Sequence, residues 1–254
     1  MKIAKKVSDR LVAGIKRYQP IVRRIAERDV SEADTVTVIK DILSDVFGYD
    51  KYAELTSEQQ IRGTFCDLAV KIDGKVHYLA EIKSAGTSLN ENHLKQAVNY
   101  GAHQGIEWII LSNAVHWKIF RIKFGQPIDW EEVYSFDLSQ MSSRSQDELE
   151  KLYMLCRESI SSDALQEYHR QAQIVNRYVT SALLFHDPVI AAIRKEFRKL
   201  FENIKVSDED IRILLANEIV KRDALDGDLA KAAQASIKKA EGVLKRRAAK
   251  ASST

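Results

Sequence analysis

The dipeptide Asp73-Gly74 stands between two strand-like runs, FCDLAVKI and VHYLAEIKS, and nothing else in the chain limits the fold so tightly. Asp-Gly suits a two-residue turn in which both positions take positive φ, so the expected product is an antiparallel hairpin. EQQIRG, ending in a turn at Gly63, reads as a further strand before it. EWIILS and HWKIFRI, with Asn113-Ala114 between them, read as two more, and a weaker one covers 133–138. A helix is expected at about 90–104. Upstream, residues 7–47 read as helices with a break at Pro20; Val36, Ile39, Ile42, Leu43 and Val46 form one apolar stripe that ends at Gly48. The order helix, three strands, helix, two strands predicts an α/β fold with a mixed sheet flanked by helices.

Downstream of SSRSQDELEKL the strand pattern stops. Residues 145 to about 248 read as helices, interrupted at Asp187-Pro188, at Val206-Ser207-Asp208, where Ser207 is suited to cap a helix, and at Gly227. Two domains are therefore expected: residues 1–140 around the sheet, and an α-helical C-terminal domain over 145–254.

Composition narrows the class. The chain has 254 residues, 45% hydrophobic and 30% charged, enough for one sizeable core and an accessory piece. Cys66 and Cys156 are far apart and form no C-x-x-C pair, which argues against a thiolate zinc site and a disulfide scaffold. No run of roughly 18 apolar residues occurs, and the basic start lacks an apolar segment of signal length. A soluble, cytoplasmic chain without membrane partners is the expectation. The net charge of +3 conceals an uneven distribution. Residues 1–29 carry nine Lys or Arg against three acids and residues 231–254 carry seven against one, leaving 23 against 32 in between. Both basic ends are suited to phosphate, although a solvated helix face is the commoner reason for such runs.

Within the predicted hairpin, three charges interrupt the apolar pattern. Asp67 lies in one strand; Glu81 and Lys83, two apart, point to one side of the other. Folding at Asp73-Gly74 lets all three converge. Two carboxylates held close raise at least one pKa unless a divalent cation sits between them, and such a pair, completed by a backbone carbonyl and waters, suits magnesium. The competing explanation is an edge-strand ion pair between Glu81 and Lys83 that keeps the sheet soluble.

Asp67, thirteen intervening residues, then Glu81-Ile82-Lys83, preceded by a helix carrying Glu32 and followed by QAVNY, resembles the PD-(D/E)XK nuclease superfamily. The pattern is most similar to the N-terminal nuclease domain of type I restriction enzyme R subunits, over residues 30–125. The resemblance implies a restriction-endonuclease-like fold. It implies Asp67 and Glu81 as metal-binding acids, joined by Glu32 and by the carbonyl of Ile82, and Lys83 as the catalytic lysine. It implies Gln96 and Tyr100, four apart on one helix, as substrate-binding residues. Cys66 replaces the usual proline before the first acid. His77, His103 and His116 show no metal-ligand spacing and are read as structural. Trp117 and Phe120 are read as core, with Lys118 and Arg121 able to face a nucleic-acid backbone.

No G-x-x-x-x-G-K-[ST] loop and no G-x-G-x-x-G element occurs, so no nucleotide cofactor is expected on this chain. The resemblance therefore implies a stand-alone, Mg²⁺-dependent DNA endonuclease connected with restriction or phage defence, Mn²⁺ being an acceptable substitute. DNA is the implied partner. A homodimer, a partner methyltransferase or an ATP-dependent motor subunit would each be compatible. The alternative is a catalytically silent module that binds nucleic acid or a partner protein.

Overall fold

Twenty-three consecutive residues, Lys5–Glu27, form α1, with Val7, Leu11, Ile15, Tyr18 and Val22 buried at helical spacing along one side. This corrects the expected break at Pro20, which lies inside the helix. Proline removes one N–H and so leaves the carbonyl of Lys16 without its helical partner, at a point where both residues are exposed to solvent. Burial of Tyr18 and Val22 on either side holds the helix together. The true break comes at Asp29, whose φ of 46° turns the chain into α2 (Glu32–Asp45). Ser31 caps α2 by accepting the amide of Asp34, and Ile39, Ile42, Leu43 and Val46 are buried as the stripe predicts. Gly14 lets the two helices meet, because a Cβ there would lie 2.7 Å from Val46 Cγ2.

The computed structural model describes residues 3–61 and 64–251, apart from the side chains of 58–61, 64, 65, 248, 250 and 251; the turn expected at Gly63 lies outside the described residues. Among the described residues, six strands make one sheet in chain order: β1 (Leu55–Ile61), β2 (Thr64–Ile72), β3 (Lys75–Ile82), β4 (Trp108–Ser112), β5 (His116–Lys123) and β6 (Asp129–Asp137). The Asp73-Gly74 turn pairs Ile72 with Lys75, with φ values of 49° and 82° at its two residues. All neighbours are antiparallel except β3 and β4. A parallel neighbour needs a crossover, here supplied by a 3₁₀ turn (Glu91–Leu94) and α3 (Lys95–Gln104), which ends on left-handed Gly105.

Helix α3 covers one face of the sheet. Ala97, Val98 and Tyr100 pack there with Ala69, Leu79, Ile109 and Phe120. On the bulged strand β5, Trp117 is fully buried, meeting Phe47 edge-on at 5.7 Å and stacking on Phe136 at 5.9 Å.

The chain divides into two compact units, 1–166 and 167–254. This boundary falls later than the expected 140–145, because α4 (Gln146–Tyr153) and α5 (Arg157–Ile160) belong to the first unit. Leu149, Leu152, Leu155 and Cys156 are buried, Tyr49 donates to the Leu155 carbonyl at 2.8 Å, and Arg10 forms a two-pronged pair with Glu158 at 2.7 Å. The division lies within the first turn of α6 (Ala164–Ile174).

In the second unit, α7 (Arg177–Leu184) is capped by Asn176, α8 (Asp187–Leu200) carries Pro188 in its first turn, and α9 (Asp208–Leu214) starts from a Ser207–Asp210 capping box. A π turn follows, and after Gly227 comes α10 (Asp228–Ala251). Ile190, Ile211 and Leu215 form the small core. No described helix is long and apolar enough to cross a membrane.

Candidate functional site

The β2–β3 register pairs Leu68 with Ala80, and continuing it by one residue sets Asp67 opposite Glu81. Antiparallel partners share a face, so the hairpin brings the two acids together, and it does so through the register shift between Val70 and Lys71. The turn's own pairing of Ile72 with Lys75, carried on unshifted, would set Asp67 opposite Ala80 and away from Glu81. Asp67 Oδ2 accepts the backbone N–H of Ile82 at 2.6 Å. Its side chain thereby holds the peptide between Glu81 and Lys83. The Lys83 amide in turn donates to the Ser112 carbonyl at 3.0 Å, tying the end of β3 to β4.

Lys83 Nζ lies 2.8 Å from Glu81 Oε1 and 3.4 Å from Glu32 Oε2. Glu32 is the first residue of α2, and its neighbourhood is fixed from the loop that follows Lys83. Gly86 N–H donates to Asp29 Oδ1 at 3.0 Å, and a Cβ on Gly86 would collide with that carboxylate. Asn113 holds the same loop from the other side. Its Nδ2 donates to the Thr87 carbonyl at 2.9 Å, while its Oδ1 accepts the amides of Val115 and His116 at 3.1 and 2.7 Å. A buried amide with this many partners is a structural rivet.

The electrostatics follow from burial. Glu81 is only 7% exposed. Burial raises its carboxyl above the ordinary glutamate value; the hydrogen bond from Lys83 opposes the rise, while the neighbouring Asp67 and Glu32 charges add to it. For Lys83, burial acts to lower the ammonium pKa, but the hydrogen bond to Glu81 and the three surrounding carboxylates outweigh it, and the net shift is upward. Lys83 is therefore a firm cation at neutral pH, set among three acids.

Asp67, Glu81 and the Ile82 carbonyl are hard oxygen donors of the kind magnesium takes, and Glu32 is a further carboxylate at the rim. Among the described residues, no group of three or more His, Cys, Asp or Glu side chains is closely enough arranged to hold a metal ion as it stands. Lys83 Nζ stands within reach of both Glu81 and Glu32. The donor chemistry of Asp67, Glu81 and the Ile82 carbonyl fits a divalent cation.

The structure separates the two α3 residues. Gln96 is exposed, whereas Tyr100 is 3% exposed in the core under the sheet, among Ala69, Leu79 and Phe120. A tyrosine four residues from Gln96 shares its helix face only loosely, and the strong hydrophobic pull of the sheet takes it inward. Lys118 and Arg121, expected to face a nucleic-acid backbone, have acids within reach: Lys118 Nζ is 3.7 Å from Glu132, and Arg121 is 3.6 Å from Glu107 with its guanidinium over the Trp108 ring. Trp117 and Phe120 are buried, as expected. His103 bonds the Asn99 carbonyl of its own helix, and His116 stands 3.7 Å from Asp137.

Sequence reasoning passed over Asp29, Gly86 and Asn113 as site-building residues. In the sequence Asn113 stands out only as a turn residue, and nothing local connects Asp29 with Gly86. No family model, curated protein or solved structure compared with the chain matches it.

Proposed function

We propose that this chain is a Mg²⁺-dependent DNA endonuclease that hydrolyses phosphodiester bonds, with a restriction-endonuclease-like nuclease unit. The reading makes it a stand-alone relative of the nuclease domain of type I restriction R subunits. One observation carries it: Asp67, Glu81 and Lys83 converge at the end of β3, with Glu32 brought to Lys83 from α2. A solubilising ion pair would need only Glu81 and Lys83, and it would not need to be buried.

Asp67, Glu81, the Ile82 carbonyl and Glu32 are the residues that would hold the ion. When bound, Mg²⁺ supplies charge neutralisation at the scissile phosphate and a bound water of lowered pKa. The protein's own contribution is positional. Asp67 fixes the Ile82 peptide and thereby the relative placement of Glu81 and Lys83. Lys83, kept cationic by its neighbours, offers ammonium hydrogens to a non-bridging phosphate oxygen and to the attacking water. The water oxygen gives up a proton to solvent as it bonds to phosphorus, the bridging P–O bond breaks, and the departing alkoxide takes a proton from solvent.

The alternative, a silent binding module, draws on the same geometry: Lys83 between Glu81 and Glu32 is also a neutralised, closed cluster. Incubating the purified chain with circular, linear and single-stranded DNA in Mg²⁺, Mn²⁺ or EDTA decides between them. Metal-dependent strand scission is the expected result. Inert protein on all substrates, with firm binding in EDTA, would transfer the assignment to the silent module.

A further inference from the structure

The cations of α1 fall into two groups. Arg10 is paired with Glu158 and donates to the Val46 carbonyl, Arg17 is paired with Asp45 at 2.7 Å, and Arg23 donates to the Ser139 carbonyl. These three fasten the helix to the rest of the first unit. Lys5, Lys6, Lys16, Arg24 and the C-cap residue Arg28 are exposed, and none makes an ion pair or hydrogen bond through its side chain among the described residues. The contrast with the sheet is direct. Lys118, Arg121 and Lys123 are each within 3.7 Å of an acid, Lys123 lying 3.0 Å from Glu131. Positive charge is neutralised along β5 and left open along α1.

Helical spacing organises the open charges. Lys5 and Lys16 are eleven residues apart and Lys6 and Arg24 eighteen, each close to a whole number of turns, so they form two rows on the side away from the buried Val7–Val22 stripe. Arg28 follows Arg24 by one turn. At about 1.5 Å per residue, the face from Lys6 to Arg28 extends roughly 33 Å, about one turn of a nucleic-acid duplex. Asp9 and Glu27 are the acids on this side, and both are exposed. The face also ends at the candidate site. One residue beyond Arg28, Asp29 bonds Gly86 in the loop after Lys83, and four beyond it Glu32 meets Lys83.

We infer that the outer face of α1 binds the phosphate backbone of the nucleic acid and leads it to the Asp67–Glu81–Lys83 site, with Lys16, Arg24 and Arg28 as the principal contacts. The direction of this path rests on the proposed phosphodiester site; the binding itself does not. Unpaired Lys and Arg contact phosphate without reading sequence, and each contact releases condensed counterions. A merely solvated helix face would need no such alignment with the site.

The test is a binding titration of the full chain in EDTA, with fluorescein-labelled 30-mer duplex and single-stranded DNA, at several salt concentrations. The Lys16→Ala, Arg24→Ala, Arg28→Ala triple variant should bind about tenfold or more weakly at roughly 50 mM salt, and its log K against log salt slope should be shallower by about two to three units. Arg24→Lys with Arg28→Lys should keep the slope, and Lys118→Ala should keep both slope and affinity. Circular dichroism checks the fold; should the triple variant misfold, Arg24→Gln alone is read for a slope change of about one. Overlaying wild-type and triple-variant curves would overturn the inference. So would a wild-type chain that ignores both DNAs in EDTA, or one that binds phosphatidylserine vesicles through these residues instead. Cleavage separates this from the preceding proposal: a triple variant with raised KM and unchanged kcat supports the path, whereas DNA binding lost in the triple variant of a chain that never cleaves retains the surface and removes the nuclease.

Discussion

Asp67 Oδ2 accepts the amide N–H of Ile82 at 2.6 Å, so the side chain of one hairpin strand holds the backbone of the other at the point between Glu81 and Lys83. The same carboxylate that would ligate a cation therefore also sets the spacing of the two groups beside it. Loss of charge and loss of the hydrogen bond can be separated by substitution.

Asp67→Asn retains an oxygen that accepts from Ile82 and should melt close to wild type while losing all cleavage. Asp67→Ala loses both, and should be inert and less stable by about 1.5–3 kcal/mol, the usual range for a hydrogen bond to a charged group. Lys83→Ala should be folded, inert and still able to bind DNA in EDTA. Parallel melting curves, cleavage gels and binding titrations check the set; cleavage retained in Lys83→Ala would remove the proposed role.

Glu81 gives a pH dependence of unusual sign. Its folded pKa lies above the unfolded glutamate value of 4.5, burial being the main cause. Between the two values the folded chain holds the proton more tightly, so this group favours folding at low pH and that advantage is lost as pH rises through the window above 4.5. Glu81→Gln mimics the protonated form. Its melting temperature relative to wild type should therefore climb as pH is raised from 4 to 7, with cleavage abolished throughout. A flat difference across that range would show that ionised Glu81 is fully compensated by Lys83.

Asn113→Ala removes an amide that is 3% exposed and leaves the Thr87 carbonyl and the Val115 and His116 amides without their partner. A destabilisation of about 2–4 kcal/mol is expected from several lost buried bonds. Because the Thr87 loop also carries Gly86 against Asp29, cleavage should fall in protein that is still folded at low temperature. Urea titration and low-temperature activity measurements check the two effects separately.

Both cysteines are buried and free, and burial pushes each thiol up to about 12. Neither should form thiolate at neutral pH, so a thiol-reactive chromogenic disulfide should label no cysteine in native protein and two after denaturation. Rapid native labelling would place one of them at the surface.

Helix α10 exposes Lys238, Lys239, Lys245, Arg246 and Arg247 against the single acid Glu241 in that stretch, and Glu241 is paired with His186. Deleting residues 238–254 should weaken DNA binding at roughly 50 mM salt, with the loss shrinking as salt rises. Superimposable titrations of truncated and full-length chains would make this end a solvated helix face.

Local chemistry alone determined most of the elements and the hairpin on which the site is built. Asp73-Gly74 turns the chain back into the hairpin, and Ser31 and Ser207 cap where side-chain oxygen meets free amides. The register that sets Asp67 against Glu81 comes from the shift between Val70 and Lys71, since the turn's own pairing of Ile72 with Lys75 would face Asp67 with Ala80. What could not be read locally was decided by packing over long separations. Pro20 stays helical because Tyr18 and Val22 are buried around it, and Tyr100 turns inward because the sheet offers it more apolar contact than water does. The first unit extends through α5 because Leu149, Leu152 and Leu155 find buried positions there. Glu32 meets Lys83 across 51 residues where Asp29 and Asn113 pin the loop that follows Lys83 from both sides. Turn and cap preferences are properties of a few adjacent residues and survive in a linear string, whereas burial and the meeting of distant charges depend on which surfaces the folded layers leave for them.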